Sequence, residues 1–402
     1  NNEASYVLTA DIDLNYADFN PIGSYSSDGS TAFKGHFNGQ GHYIRNLRII
    51  TTNSYTGFFG IVKGTDTQKA VLENITIHGA DVADADINNK ADIKGVLVAQ
   101  AEHATIRGCV AMGDISGGTF IGGLAGYTYH TDIINCGTDV NAYSYHQWTR
   151  LGGIVGNAEY TNIINSYTLS NPHAFQVIDE SYVDVGIIAG RRLETTYTHC
   201  YYDNMMPKFT YSDLNIDELS DTYSRYGMVQ RSFMDELIYY SAVNGLETTY
   251  MQSSYGKEIP VASSDAAAQH IAMCASTSAG SVKFVYYPTE TWHKFKSGSA
   301  TVFVESGSDK ELKDIIIKDF NGNTVDVDYK IEDGVASFRM PYFSVKIYPS
   351  FTEPYLDGDG TEADPYRIAS YDDLVFMAKQ INENNPDEKY RDGYYVVVND
   401  ID

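Results

Sequence analysis

Apolar positions in the first half of the chain fall in short runs broken by glycine. The run Phe120-Ile121-Gly122-Gly123-Leu124-Ala125-Gly126 returns as Arg150-Leu151-Gly152-Gly153-Ile154-Val155-Gly156. Weaker copies are Gly57-Phe58-Phe59-Gly60, Gly95-Val96-Leu97-Val98-Ala99 and Gly186-Ile187-Ile188-Ala189-Gly190. Seven residues after each of the last four closing small residues comes a second element: Ile106-Arg107-Gly108-Cys109, Ile133-Ile134-Asn135-Cys136, Ile163-Ile164-Asn165-Ser166 and Tyr197-Thr198-His199-Cys200. The closing positions 60, 99, 126, 156 and 190 lie 39, 27, 30 and 34 residues apart. A fixed inner gap with a variable outer gap predicts short strands and fixed turns joined by loops of varying length, stacked as a solenoid in which each coil touches only its neighbours. Equivalent residues then form columns about 4.8 Å apart. One column is Asn46, Asn74, Asn135 and Asn165, interrupted by Gly108 and His199, and its amides are placed to hydrogen-bond along the stack. The arithmetic predicts a mainly β chain opening with a parallel β-helix.

The Gly-Gly-Leu-Ala-Gly and Gly-Gly-Ile-Val-Gly runs resemble the GLUG motif of bacterial surface and secreted proteins. The lead-in Tyr6-Val7-Leu8-Thr9-Ala10-Asp11-Ile12-Asp13-Leu14 and the segment Phe33-Lys34-Gly35-His36-Phe37-Asn38-Gly39-Gln40-Gly41-His42 resemble the usual opening of those domains. The resemblance covers about residues 5–203. It implies a right-handed parallel β-helix in a large adhesin-like protein at the cell surface or secreted, and it is specific for fold rather than function.

The remainder divides by pattern. Residues 204–262 read as a cap over the C-terminal end of the solenoid, with one helix over 233–243 begun by Ser232 and Asp235 and stopped at Asn244-Gly245. Residues 263–353 alternate as strands, with a hairpin turn at Asn321-Gly322. Their close, Phe338-Arg339-Met340-Pro341, resembles the ending of small β modules in tandem on bacterial surface proteins, and a β-sandwich or β-grasp-like module fits. Residues 354–402 read as a turn, a helix with Leu374, Met377, Ala378 and Ile381 on one face, and the strand Tyr394, Tyr395, Val396, Val397, Val398. Asp400-Ile401-Asp402 repeats Asp11-Ile12-Asp13 at an offset of 389 residues, so this helix and strand look like the opening of a further copy. A tandem array follows, in which residues 366–402, with Leu374, Met377, Ile381, Tyr394, Val396 and Val398, cap a neighbouring copy head to tail.

Charge narrows the partners. The 402 residues carry 28 Lys and Arg against 53 Asp and Glu, a net charge of −25, which argues against nucleic acid. No apolar run is long enough to span a membrane, and the N-terminal residues do not form a signal peptide. The four cysteines lack zinc spacing. Cys109 and Cys136 share a column within disulfide reach, but parallel in-register side chains favour buried thiols.

Candidate chemistry is sparse. The repeat columns hold Asn, Cys, Ile and Gly where a polysaccharide-cleaving β-helix needs converging carboxylates. Asp84, Asp86 and Asn88, and likewise Asp357, Asp359 and Asp364, have alternate spacing without the Gly and Glu of a calcium loop, and read as solvated acidic loops. His103 and His130 share a column as an exposed turn. No nucleophile–base motif, metal set or cofactor motif stands out. The loop 139–148 carries Tyr143, Tyr145, His146 and Trp148, which either meet a glycan or protein partner or fold over the sheet as a lid. The sequence therefore points to a non-catalytic extracellular module joined to copies of itself, with a glycan-binding β-helix as the alternative.

Overall fold

The structure is a computed structural model. It describes all residues except 1, 28, 86–92, 147, 175–182, 204–219, 224–227, 229–230, 245, 247–248, 252–260, 264–268, 278–279, 309–311, 352–355, 370, 383–389 and 400–402. The chain is mainly β and divides into two compact units, Asn1–Gln269 and His270–Asp402.

The first unit consists of parallel sheets that the chain visits in a fixed order. From Phe120–Gly122 it passes through the Gly123-Leu124 corner into Ala125–Tyr129, then Asp132–Ile134, then Gly137–Ser144. It then returns to Thr149–Gly152, which lies parallel beside Phe120–Gly122. Each of these strands belongs to a different sheet, of five, five, seven and ten strands. The pairing follows the repeat: Ile106 faces Ile133, Ile133 faces Ile163 and Ile163 faces Tyr197.

Side-chain pattern and turn chemistry explain this order. Ile106, Ile133 and Ile163 are fully buried, and they share one core cluster with Leu124, Ile154, Cys109 and Cys136. The Gly-Gly corners exist because chains pass at contact distance there. A Cβ on Gly123 would lie 2.2 Å from the Gly153 carbonyl oxygen, and one on Gly153 would lie 2.1 Å from the Ile187 carbonyl oxygen. The later turns need left-handed backbone. Asn46, Asn74, Asn135 and Asn165 have φ of 56°, 54°, 54° and 46°, with Gly108 and His199 at 59° and 49° in the same column. Asn and Gly are the residues that enter this region at least cost.

Of residues 204–262, expected as a cap over the C-terminal end, the strand Ser220–Tyr223 pairs parallel with Cys200–Asp203 at the end of its sheet, and the helix α1 (Arg231–Val243) lies against the flank of the stack. Phe233 packs edge-on against Tyr167 and Tyr201. Ser241 joins the buried pair Asn135–Asn165, and Tyr240 covers His199. Ser232 falls inside α1, because the helix starts at Arg231.

In the second unit a four-stranded and a five-stranded sheet share one core containing Phe284, Val304, Ile317, Phe338 and Ile347. The expected turn at Asn321-Gly322 is present: Gly322 N–H donates to Asp319 O (3.1 Å), and Gly322 has φ 90°. A separate two-stranded parallel sheet, Tyr366–Ile368 with Tyr395–Val397, packs with helix α2 (Tyr371–Asn382) around Tyr366, Phe376 and Tyr390.

Candidate functional site

The Asn column is a turn support, with one amide ladder at its middle. Asn165 Nδ2 donates to Asn135 Oδ1 (2.8 Å), Leu237 O (3.1 Å) and Ser241 Oγ (3.0 Å), all buried. Asn74 Nδ2 reaches Asn38 Oδ1 at 3.4 Å, and Asn46 Nδ2 donates to Asp13 Oδ1 at 2.8 Å. Gly108 interrupts the ladder between Asn74 and Asn135, as the spacing required.

Asp84 is not on a solvated loop. Its carboxylate meets Lys94 Nζ at 2.6 Å with both side chains almost wholly enclosed, and it accepts the Gly118 N–H (3.0 Å). A carboxylate neutralised in this way is spoken for, and Asp86 and Asn88 lie outside the described residues. Asp357 and Asp364 pair with Arg367 (3.3 and 2.7 Å), while Asp359 accepts the Thr361 N–H and hydroxyl. Among the described residues no three His, Cys, Asp or Glu side chains converge to hold a metal ion.

His103 and His130 are half-buried and stacked at 5.1 Å, and Tyr160 continues the stack at 4.9 Å. All three have φ near 48°, so the turn expected at this column is left-handed. Cys109, Cys136 and Cys200 are buried thiols; burial pushes Cys109 up, with Cys136 beside it adding to the effect, and pushes Cys200 up to about 12. Tyr143 belongs to the strand Gly137–Ser144 and is half-buried, as is His146, whereas Tyr145 (37 % exposed) and Trp148 (60 %) are exposed.

Exposed apolar side chains also gather at two other places. At the head, the strand Ser5–Val7 is the outermost strand of its sheet, with Tyr6 and Val7 exposed. Beside it opens a cavity of about 350 Å³ lined by Tyr6, Ile22, Phe33 and Phe37 together with Asn2, Gly23 and Thr31. The Asp-Ile-Asp that follows ties the first turn of chain to the next one. Asp11 accepts from Arg45 (2.8 Å) and from the Tyr43 N–H (3.1 Å), and its Oδ1 lies 3.2 Å from His42 Nδ1. Partial burial alone would raise Asp11, and these partners outweigh it and hold the carboxyl below its usual range. Asp13 accepts the Asn15 N–H and the Asn46 amide.

At the tail, α2 buries Phe376 and Gln380 and half-buries Met377, whereas Leu374, Ala378 and Ile381 are exposed. The expected apolar face is thus rotated: Tyr366, Tyr390 and Tyr395 pack against the Phe376–Met377 side and leave Leu374, Val375 and Ile381 uncovered. Tyr394, Val396, Val397 and Val398 are exposed as well. Head and tail both present exposed apolar side chains on a strand at the edge of its described sheet. No described helix is long and apolar enough to cross a membrane.

No family model matches the chain. It is 36% identical over 134 residues to halomucin of Haloquadratum walsbyi, a match covering 31% of this chain and 1% of that protein. The chain therefore spans a very small part of the curated relative it matches. Among solved structures it is similar to a candidate immunoglobulin A1 protease from Bacteroides ovatus at 18% identity and a TM-score of 0.44, covering 64% of this chain and 85% of that one.

Proposed function

We propose that the chain is a non-catalytic extracellular structural or adhesive repeat module of a long surface protein or fibre. In this reading the parallel sheets of the first unit form a right-handed β-helix of the GLUG type, and the two sheets of the second unit form a small sandwich-like spacer. The observation that carries it is the in-register stacking of strands 27, 30 and 34 residues apart, with buried apolar columns and turn columns filled by Asn and Gly. Such a stack gives defined length from contacts between neighbouring coils alone, and a net charge of −25 keeps many copies soluble and mutually repelling. The halomucin match supports the setting: 134 residues amount to 1% of that protein, whose length is therefore on the order of ten thousand residues.

A glycan-binding reading rests on a different observation, the exposure of Tyr145 and Trp148 three residues apart, since exposed rings of this kind stack on sugars. A glycan array run with the protein and with its Tyr145→Ala and Trp148→Ala variants separates the two. The structural reading predicts no specific glycan signal in any of the three. A specific signal lost in either variant would replace it with a lectin-like role.

A further inference from the structure

Lys94 occupies a position that the fold otherwise fills without charge. The strand Ile93–Gly95 pairs it with Thr56 on one side and Ile121 on the other, and Ile121 leads on to Leu151 and Val185. All four of these residues are buried, so Lys94 belongs to a column enclosed by the stack. Asp84, the last residue of the strand Thr76–Asp84, meets it there. Lys94 Nζ lies 2.6 Å from Asp84 Oδ1, and the two side chains are 0 % and 3 % exposed. The other carboxylate oxygen, Oδ2, accepts the Gly118 N–H at 3.0 Å. Gly117 lets the backbone close on that oxygen, since a Cβ there would lie 1.9 Å from it. An ion pair elsewhere on the stack, Lys63 with Glu102, stays open to water. Enclosing both charges of a pair is costly, because their attraction repays lost hydration only in part. An uncharged link between the same two residues carries no such cost.

We propose that Asp84 and Lys94 become joined by an amide bond, a covalent modification that closes residues 85–93 into a loop. The two carboxylate oxygens already have the partners this requires: Oδ1 lies against the amine, and Oδ2 is held by a backbone donor. The ammonium passes one proton to Oδ1 across the 2.6 Å contact. The freed Nζ attacks Cγ, the Nζ–Cγ bond forms, and negative charge develops on Oδ2, where the Gly118 N–H receives it. A second proton moves from Nζ to Oδ1, the Cγ–Oδ1 bond breaks, and water leaves. One hydrogen remains on the amide nitrogen, and Oδ2 becomes the amide carbonyl oxygen. Ammonium and carboxylate are consumed together, so no oxidant or activated group is needed. Holding the two groups in contact replaces a chance encounter, and an enclosed apolar setting favours the uncharged product over the ion pair. The link involves a single coil and goes beyond the repeat-module reading. Its effect would be to fix both ends of residues 85–93 to the stack.

Mass spectrometry of the denatured 402-residue chain reads the bond directly. The intact mass should fall short of the sum of its residues by one water. Trypsin cuts after Lys69, Lys90 and Arg107, but not after an amidated lysine. Segments 70–90 and 91–107 should therefore remain one species, whose fragmentation places the bond between Asp84 and Lys94. Lys94→Arg keeps the positive charge but has no amine to join, and Asp84→Ala has no carboxyl, so both variants should show the full residue mass. The joined segments are read on the unaltered chain, so this result stands even where a variant does not fold. The proposal is overturned if the unaltered chain has its full residue mass. It is equally overturned if the missing water persists in Lys94→Arg, which would place it in a cyclic imide. Neither outcome bears on the repeat-module reading, which the glycan array tests.

Discussion

Asn165 holds a left-handed turn at φ 46° while its amide donates to Asn135, Leu237 and Ser241. Asn165→Ala gives up both roles. Its buried partners lose a donor, although Asn135 Oδ1 keeps the Ser241 hydroxyl, and a Cβ residue without a local hydrogen bond must sit in the left-handed region, for a cost of roughly 3 kcal/mol. Asn165→Gly loses the hydrogen bonds but keeps the turn, as Gly108 does in the same column, so it should cost about 1 kcal/mol less. Denaturant unfolding of the two variants reads the difference directly. His270 makes a separate prediction for the second unit. Burial lowers it from 6.5 to about 4, so the unfolded chain takes up a proton before the folded one does. Stability is therefore full above pH 6.5 and is lost as pH falls toward 4, by on the order of 3 kcal/mol. His270→Phe should remove that increment, visible as a smaller drop in melting temperature between pH 7 and pH 4.5 than in the unaltered protein.

At the scale of elements, glycine decides where coils touch. A Cβ on Gly156 would sit 2.6 Å from the Ile121 nitrogen and from the Gly126 carbonyl oxygen. Both are backbone atoms that cannot move without disturbing the next strand. Gly156→Ala should cost at the upper end of the ~1–3 kcal/mol typical of overpacking, measured by chemical denaturation. These same glycines made the stack legible in the sequence, because the requirement recurs at Gly60, Gly126, Gly156 and Gly190, with Ala99 in the remaining coil, and leaves a repeated mark. The hairpin at Asn321-Gly322 was legible for a similar reason: its conformation demands a particular residue. The Asp84–Lys94 pair was not legible. The two residues meet only because the fold brings them together, and Asp84 alone resembles any acidic loop residue. The buried side of α2 was misplaced because Leu374, Ala378 and Ile381 make as regular an apolar stripe as Phe376 and Met377. Only the aromatic neighbours Tyr366, Tyr390 and Tyr395 decide between the two. The column of His103, His130, Tyr160 and Glu194 was legible as a turn from its spacing, but not as a left-handed one, because these side chains share no chemistry that marks that conformation.

For the whole molecule, the account predicts a mechanical character. Each coil of the first unit is held by its two neighbours through parallel pairing and by the shared apolar columns, so stability is distributed along the stack. On the structural reading proposed above, the function of the first unit lies in bearing and transmitting length. The measurement that addresses this most directly is single-molecule extension of the 402-residue chain held at its two ends. Unfolding of the first unit should proceed in steps of about one coil, each releasing roughly 100 Å as some 30 residues extend. A single release of the whole first unit in one event would contradict the stacked-coil account of how this chain works.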